Sequence, residues 1–146
     1  MRTRQATYFE SKVRHEAVAE NGTPCKVTEL FVVDAINFTE CEQRVSEYVA
    51  HLVSGGFEVL TESHAPYGEI FFSDKEDEEK FYRVRLSVIM LDERSGKEKR
   101  TKAVYLVQGK DIESAKGNLD EVLRETMMQY VVEGVHETAV QGVVNA

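Results

Sequence analysis

With 146 residues, 42% of them hydrophobic and 30% charged, the chain has the size and apolar content of a single globular domain that folds without disulfides or metals, burying roughly 70% of its unfolded surface. A net charge of -8, from 18 basic against 26 acidic residues, opposes the long-range attraction that a phosphate backbone needs and argues against duplex nucleic acid as a partner. No apolar run reaches the ~20 residues of a membrane span, and Met1-Arg2-Thr3-Arg4-Gln5 carries no apolar leader, so no membrane partner and a cytoplasmic location are expected.

Tyr8 to Val18 is rich in strand formers and ends in the turn Ala19-Glu20-Asn21-Gly22-Thr23-Pro24. Asn-Gly predicts a type I′ hairpin, both residues tolerating positive φ. The second strand runs from about Cys25 to Asp34. A helix follows from about Thr39 to Ser54, with Thr39 and Glu42 at capping-box spacing and Gly55-Gly56 as the stop. A third strand begins near Phe57, breaks at Pro66 and resumes through Glu69 to Phe72, with a bend or bulge expected around Tyr67-Gly68. Residues 73–80 form a charged run expected to be a solvated connector. Beyond it come a strand over Phe81 to Leu91, a turn at Arg94-Ser95-Gly96-Lys97 and a partner strand over Lys99 to Gln108. The second helix is predicted over about Ile112 to Met128, capped by Asp111, with Gly117 costing ~1 kcal/mol relative to alanine. Tyr130 to about Val135 reads as the last strand, and the tail to Val144 repeats the pattern around Gly68.

These elements fall into two similar halves. Leu30-Phe31-Val32-Val33-Asp34 resembles Val104-Tyr105-Leu106-Val107-Gln108, and the same shift aligns Gly22 with Gly96, Phe38 with Ile112, Gly68 with Gly142 and Ile70 with Val144. The helix faces agree too: Cys41, Val45, Tyr48, Val49 and Leu52 in the first half correspond to Ala115, Leu119, Val122, Leu123 and Thr126 in the second. The fold class expected is α+β, a tandem duplication of a ββαβ unit with mainly antiparallel sheet and two helices. It is expected to form a single domain, with repeat one over residues about 6–72, an acidic connector over 73–80 and repeat two over about 81–146.

The pattern Tyr8-Phe9-Glu10-Ser11-Lys12-Val13-Arg14, Lys26-Val27-Thr28-Glu29, Val33-Asp34-Ala35, Phe38-Thr39-Glu40, Glu69-Ile70-Phe71-Phe72 and Leu91-Asp92-Glu93-Arg94-Ser95-Gly96 resembles an uncharacterised family of small proteins from gut Bacteroides and their phages, defined only as a domain of unknown function. The resemblance covers nearly the whole chain. It implies a phage or mobile-element origin and offers no catalytic residues to carry over.

Chemistry-bearing motifs are sparse. His15, His51, His64 and His136 show no metal-ligand spacing with one another or with Cys25 and Cys41, both read as reduced packing residues. No nucleophile elbow, phosphate loop or dinucleotide fingerprint occurs, and Asp74 to Glu79 lacks the pattern of a calcium loop. His64, in Ser63-His64-Ala65-Pro66-Tyr67, lies beside a bend where acid–base chemistry is conceivable, against the plainer reading of a loop histidine. No catalytic residue, metal site or cofactor is assigned.

A binding face is better supported. Strand alternation sets Glu10, Lys12 and Arg14 opposite Phe9, Ser11, Val13 and His15, and sets Arg83 and Arg85 opposite Tyr82, Val84, Leu86 and Val88. In an acidic protein, Lys12, Arg14, Arg83 and Arg85 form a candidate patch for carboxylate or phosphate, cross-strand pairing with residues such as Glu10 and Glu29 being the alternative. Screening over about 8 Å lets such a patch act against the distant negative background. Leu30-Phe31-Val32-Val33 and Ala103-Val104-Tyr105-Leu106-Val107 are apolar on both faces, so something covers the second face, and Tyr105 there has the shape to stack on a flat ligand. The expected function is therefore non-enzymatic binding by a homo-oligomer, a dimer in the simplest case. With the phage context that the resemblance implies, this becomes sequestration of a small anionic, nucleotide-like signal as a counter-defence protein. The alternatives are a module that caps or inhibits a host protein through its apolar strand faces, and an enzyme with a site assembled across the repeat.

Overall fold

The computed structural model describes residues 7–145; the reading of Met1 to Gln5 lies outside them. The chain folds as β1 (Tyr8–Val18), β2 (Pro24–Asp34), α1 (Phe38–Leu52), β3 (Phe57–His64), β4 (Glu69–Phe71), β5 (Lys80–Leu91), β6 (Glu98–Gly109), α2 (Ile112–Arg124), β7 (Gln129–Glu137) and β8 (Val140–Val144). It is an α+β protein with two four-stranded, mostly antiparallel sheets, ordered β3-β1-β2-β8 and β4-β6-β5-β7. Two compact units carry them, one running to Ala65 and resuming at Ala139, the other spanning Pro66–Thr138.

In the first unit, β1 and β2 form a hairpin in unbroken register from Tyr8 opposite Asp34 to Val18 opposite Pro24. Its turn is closed by Gly22 N–H donating to Ala19 O, and only Gly22 takes a positive φ, of 81°. The expected type I′ turn needs positive φ at Asn21 as well, so the turn is of another type, with glycine alone supplying the left-handed residue. Helix α1 starts at Phe38, with its cap two residues earlier than expected. Asn37, not Thr39, is its N-cap, with Oδ1 accepting from Glu40 N–H at 2.8 Å, and the helix ends at Leu52 with Val53 as C-cap, before Gly55-Gly56. Cys41, Val45 and Val49, each four apart, bury against Phe9 and Val13 of β1 and Phe31 and Val33 of β2, with Val144 of β8 completing the cluster. Burying each such aliphatic side chain is worth about 1.5–3 kcal/mol.

The second unit repeats this plan. Ala115, Leu119 and Leu123 of α2 pack on Tyr82, Val84, Leu86 and Val107. Asp111 caps the helix as expected, in a capping box whose other member is Ser114. The helix stops at Arg124, short of the predicted Met128, with Glu125 as C-cap and a tight turn in which Thr126 N–H donates to Leu123 O; Met127, at a φ of 55°, then leads the chain toward β7. Each central strand meets a bulge on its neighbour, Leu60 of β3 opposite the Lys12–Val13 step of β1 and Glu133 of β7 opposite the Arg85–Leu86 step of β5, within one position of each other at the same offset. The two units thus share strand order, helix phase and bulge position.

The fourth strand of each sheet departs from the expected repeat boundary. β4 does not continue β3 beyond a bend. Instead it runs parallel to β6, with Glu69 opposite Tyr105 and Phe71 opposite Val107. β8, from the end of the chain, runs parallel to β2, with Phe31 opposite Gly142 and Val33 opposite Val144. Each sequence half thus donates its last strand to the sheet built by the other half.

Two further expectations change. Glu78, inside the run read as solvated, is only 2% exposed. Of the two cysteines, both reduced, Cys41 is packed in the core, whereas Cys25 is exposed on the hairpin and packs against nothing that buries it.

Candidate anion-binding surface

The five residues singled out from sequence occupy different settings. On β1, Lys12 and Arg14 share the face turned away from α1, next to one another along the strand. Arg14 is engaged, its Nη2 lying 2.8 Å from Glu58 Oε2 on β3. That is the cross-strand pairing weighed as the alternative, with Glu58 as partner instead of Glu10 or Glu29. Lys12 is exposed and makes no ion pair with any described residue. A cavity of about 260 Å³ beside Arg14 is lined also by His15, Glu16, Lys26 and Glu58, so its cations are matched by carboxylates. His15 itself faces Glu29 at 3.3 Å.

Tyr105 is turned to the other face of its sheet from the arginines. It packs against the α2-side cluster and meets the Phe71 ring at a 5.4 Å centroid distance in an edge-on arrangement. Burial, and then the charge of Glu69, push its hydroxyl pKa up. It is a half-buried core-side tyrosine whose ring partner is the donated strand β4.

Arg83 and Arg85 project from β5 on the face away from α2, both exposed. Neither makes an ion pair with any described carboxylate. Arg85 lies across β7, where the bulge sets Gly134 opposite it, and its Nη2 donates to His136 Nε2 at 3.2 Å. A Cβ at Gly134 would stand 2.9 Å from that Nη2, so the absence of a side chain there makes room for the guanidinium. His136 is the register partner of Arg83, which places three nitrogen-bearing side chains together on two adjacent strands. Beside them a cavity of about 350 Å³ is lined by Arg85, Leu86, Ser87, Lys102, Ala103, Val104 and Glu133. Its one carboxylate, Glu133, accepts from Ser87 Oγ at 2.6 Å. Two cations therefore face one carboxylate that is already hydrogen-bonded.

Gly134, His136, Ser87 and Lys102 were not singled out from the sequence. A glycine inside the otherwise strand-forming run from Tyr130 to Val135 was the available signal, since such a glycine often marks a bulge or a close approach.

His64 stacks with Phe9 at 4.7 Å and Phe38 at 4.9 Å between ring centroids, a packing role beside the bend. Among the described residues no cluster of His, Cys, Asp or Glu is arranged to hold a metal ion, and no helix is long and apolar enough to cross a membrane.

The family description "Domain of unknown function (DUF4494)" matches residues 7–146, all but the first six positions of the chain. The chain belongs to this DUF4494 family. Comparison with curated proteins and with solved structures gives no match.

Proposed function

We propose that this DUF4494 chain is a non-enzymatic binding protein for a small anionic ligand of nucleotide-like chemistry, held on the outer face of β5 and its neighbours by Arg83 and Arg85 of β5 and Lys102 of β6. The supporting observation is that Arg83 and Arg85 are left without carboxylate partners in a protein with 26 acidic residues, while Arg85 is held in place by His136 over Gly134. A guanidinium fixed by a histidine keeps its remaining N–H donors for a planar or tetrahedral anion. Phosphate is the better fit, because the bidentate fork and the nearby Lys102 answer its charge and geometry. Sequestration of such a signal by a phage-borne counter-defence protein accords with the family resemblance. A cytoplasmic setting, where such signals occur, belongs to the same proposal.

The reading includes self-association, a dimer in the simplest case. The apolar second face of β2 and β6 does not carry it. On that face Val32 and Leu106 are each 0% exposed within the single chain, so these two residues offer no patch to a second subunit. The support for a dimer comes instead from strand topology. A host-protein cap remains a second reading, favoured by the exposed apolar residues at the hairpin ends, Val18, Met90 and Leu91.

Incubating purified protein with cell extract and identifying retained small molecules by mass spectrometry tests the proposal. A retained phosphate-bearing metabolite that the Arg85→Ala variant no longer retains supports it. Retention of a polypeptide alone, or of the same molecule by the variant, overturns it.

A further inference from the structure

The donated strands carry an inference that does not depend on the anion reading. β4 completes a sheet whose other members, β5, β6 and β7, all lie in the second sequence half, and β8 completes a sheet whose other members all lie in the first. The strand at each receiving edge makes no distinction between a donor on its own chain and the same donor on another copy. The two donor strands are also fitted to their places. Gly142 passes so near Tyr48 that a Cβ would lie 3.3 Å from its hydroxyl, and Gly68 N–H donates to Val104 O at 2.8 Å as β4 enters.

What ties the two halves covalently is the segment between β4 and β5, and it is latched. Glu78 is withdrawn from solvent there, its carboxylate accepting from Ser73 Oγ at the start of the segment and from Asn118 Nδ2 on α2. Asn118 Nδ2 also donates to Gln108 O, and Gln108 Oε1 accepts from Ser73 N–H, so both ends of the segment are pinned to β6 and α2. The turn is held shut by Glu78 N–H donating to Lys75 O. A buried carboxylate in a charged run is costly unless such partners hold it, and these partners hold one conformation of the connector.

We propose that the chain forms dimers by reciprocal exchange, in which β4 of one copy completes the β4-β6-β5-β7 sheet of the other and β8 of that copy returns to complete the first, with residues 73–79 as the hinge and Glu78 as its latch. The partner is a second copy of this chain. Outside the hinge, the exchanged dimer keeps every strand pairing of the closed monomer, so the balance between them is set by concentration and by the latch. Opening the hinge releases the Glu78 contacts together with the turn around them, in which Lys75 N–H donates to Ser73 Oγ and Asp77 pairs with Lys110 at 3.7 Å.

The test refolds an equimolar mixture of two full-length chains at high concentration, both carrying Cys25→Ser, one with Ile70→Cys and the other with Leu106→Cys. These positions face each other across β4 and β6. A short bifunctional thiol reagent then joins the two chains only when β4 of one lies on β6 of the other. The cross-linked dimer is expected with the latch intact, and Glu78→Ala in both chains is expected to raise its share about tenfold, the scale of losing a hydrogen bond to a charged group. Should Glu78→Ala fail to fold, Ser73→Ala removes one donor to the same carboxylate and gives the same direction with smaller size. Dimers by light scattering that carry no β4–β6 cross-link overturn exchange while leaving self-association standing. A monomer in every mixture overturns both.

Discussion

Arg85 and Gly134 face each other across β5 and β7, and the guanidinium occupies the space that any side chain at 134 would need. The pair ties a stability question to a binding question. A Cβ at 134 meets only the far end of a flexible side chain, at 2.9 Å from Nη2, so the backbone has no need to move. Gly134→Ala is therefore expected to change stability by less than about 1 kcal/mol, since alanine recovers part of the entropy that glycine loses in a strand. Anion affinity by calorimetry is expected to fall, because Arg85 must leave the His136 contact. Unchanged affinity with an unchanged fold would remove Arg85's position from the binding argument.

The anion surface also predicts its own hierarchy. Arg85→Ala is expected to weaken phosphate-bearing ligands by about 1–3 kcal/mol, the range for a hydrogen bond to a charged group. Arg14→Ala is expected to leave that affinity within about 0.5 kcal/mol, because its guanidinium is committed to Glu58 and such exposed pairs contribute little. Titration of the two variants with the same nucleotide checks the order, and equal losses would contradict it.

Gly109 presents the opposite case to Gly134. A Cβ there would meet Ser114 Oγ at 2.8 Å, Ala115 N at 2.9 Å and Ala115 Cα at 3.0 Å, two of them backbone atoms of the first turn of α2. Helix backbone cannot step aside as an arginine tip does, so Gly109→Ala is expected to destabilise by about 1–3 kcal/mol. Urea denaturation with an unchanged slope and a lower midpoint would show it. The corresponding position in the first half is Ala35, fully buried, so the first unit accommodates a Cβ where the second does not.

How far the fold could be read from sequence follows the range of each signal. Strand β1 was predicted to the residue, and the buried helix positions Cys41, Val45, Val49 and Ala115, Leu119, Leu123 follow from spacing alone. Those are local periodicities, three to four residues in reach. The cap of α1 was misplaced because Thr39 with Glu42 imitates a capping box, while Asn37 makes the actual cap two residues earlier. The strand donation was not legible, because Glu69-Ile70-Phe71 has the same alternation whether it extends β3 or pairs with β6; only the partner differs, and partners lie far along the chain. The patch was half legible: alternation placed Arg83 and Arg85 on one face, but His136 and Lys102 reach them through register. Glu78 was misread because its neighbours are all charged, and burial of one carboxylate depends on Asn118 forty residues on.

Met127 is 89% exposed and sits at a φ of 55°, in the left-handed region that favours glycine. It closes the turn that leads out of α2, three residues beyond Arg124, in the stretch past a helix end where a left-handed glycine is common. Met127→Gly removes the steric cost of Cβ there, loses almost no packing, and gives back some unfolded-state entropy. The net is an expected gain of about 0.5–1 kcal/mol. A thermal midpoint that falls in this variant would mean that the methionine makes contacts that outweigh its strain.

Alkaline pH supplies a prediction of known sign. Burial, assisted by the Glu62 and Glu42 carboxylates, pushes the Cys41 thiol up to about 11 from its ordinary 9.0. Burial, then the hydrogen bond that the Tyr130 hydroxyl donates to Asp120, then that carboxylate's charge, push Tyr130 up to about 12 from 10.0. Both groups are neutral when protonated, and the folded chain holds their protons more tightly than the unfolded chain does. Their contribution to stability is complete below the unfolded values and is lost as pH rises through the folded ones. The urea midpoint is therefore expected to hold to about pH 9 and to decline between pH 9 and about 12. Tyr130→Phe is expected to flatten the upper part of that decline, from pH 10 to about 12, and Cys41→Ala the lower part, from pH 9 to about 11, whatever each substitution does to the midpoint at neutral pH. Cys41 has a second readout, since a thiol both buried and held protonated reacts slowly with alkylating reagents. At pH 8 the exposed Cys25 is expected to be modified promptly and Cys41 only after denaturant is added, and simultaneous modification of both would show that the α1 packing around Cys41 opens in the native chain.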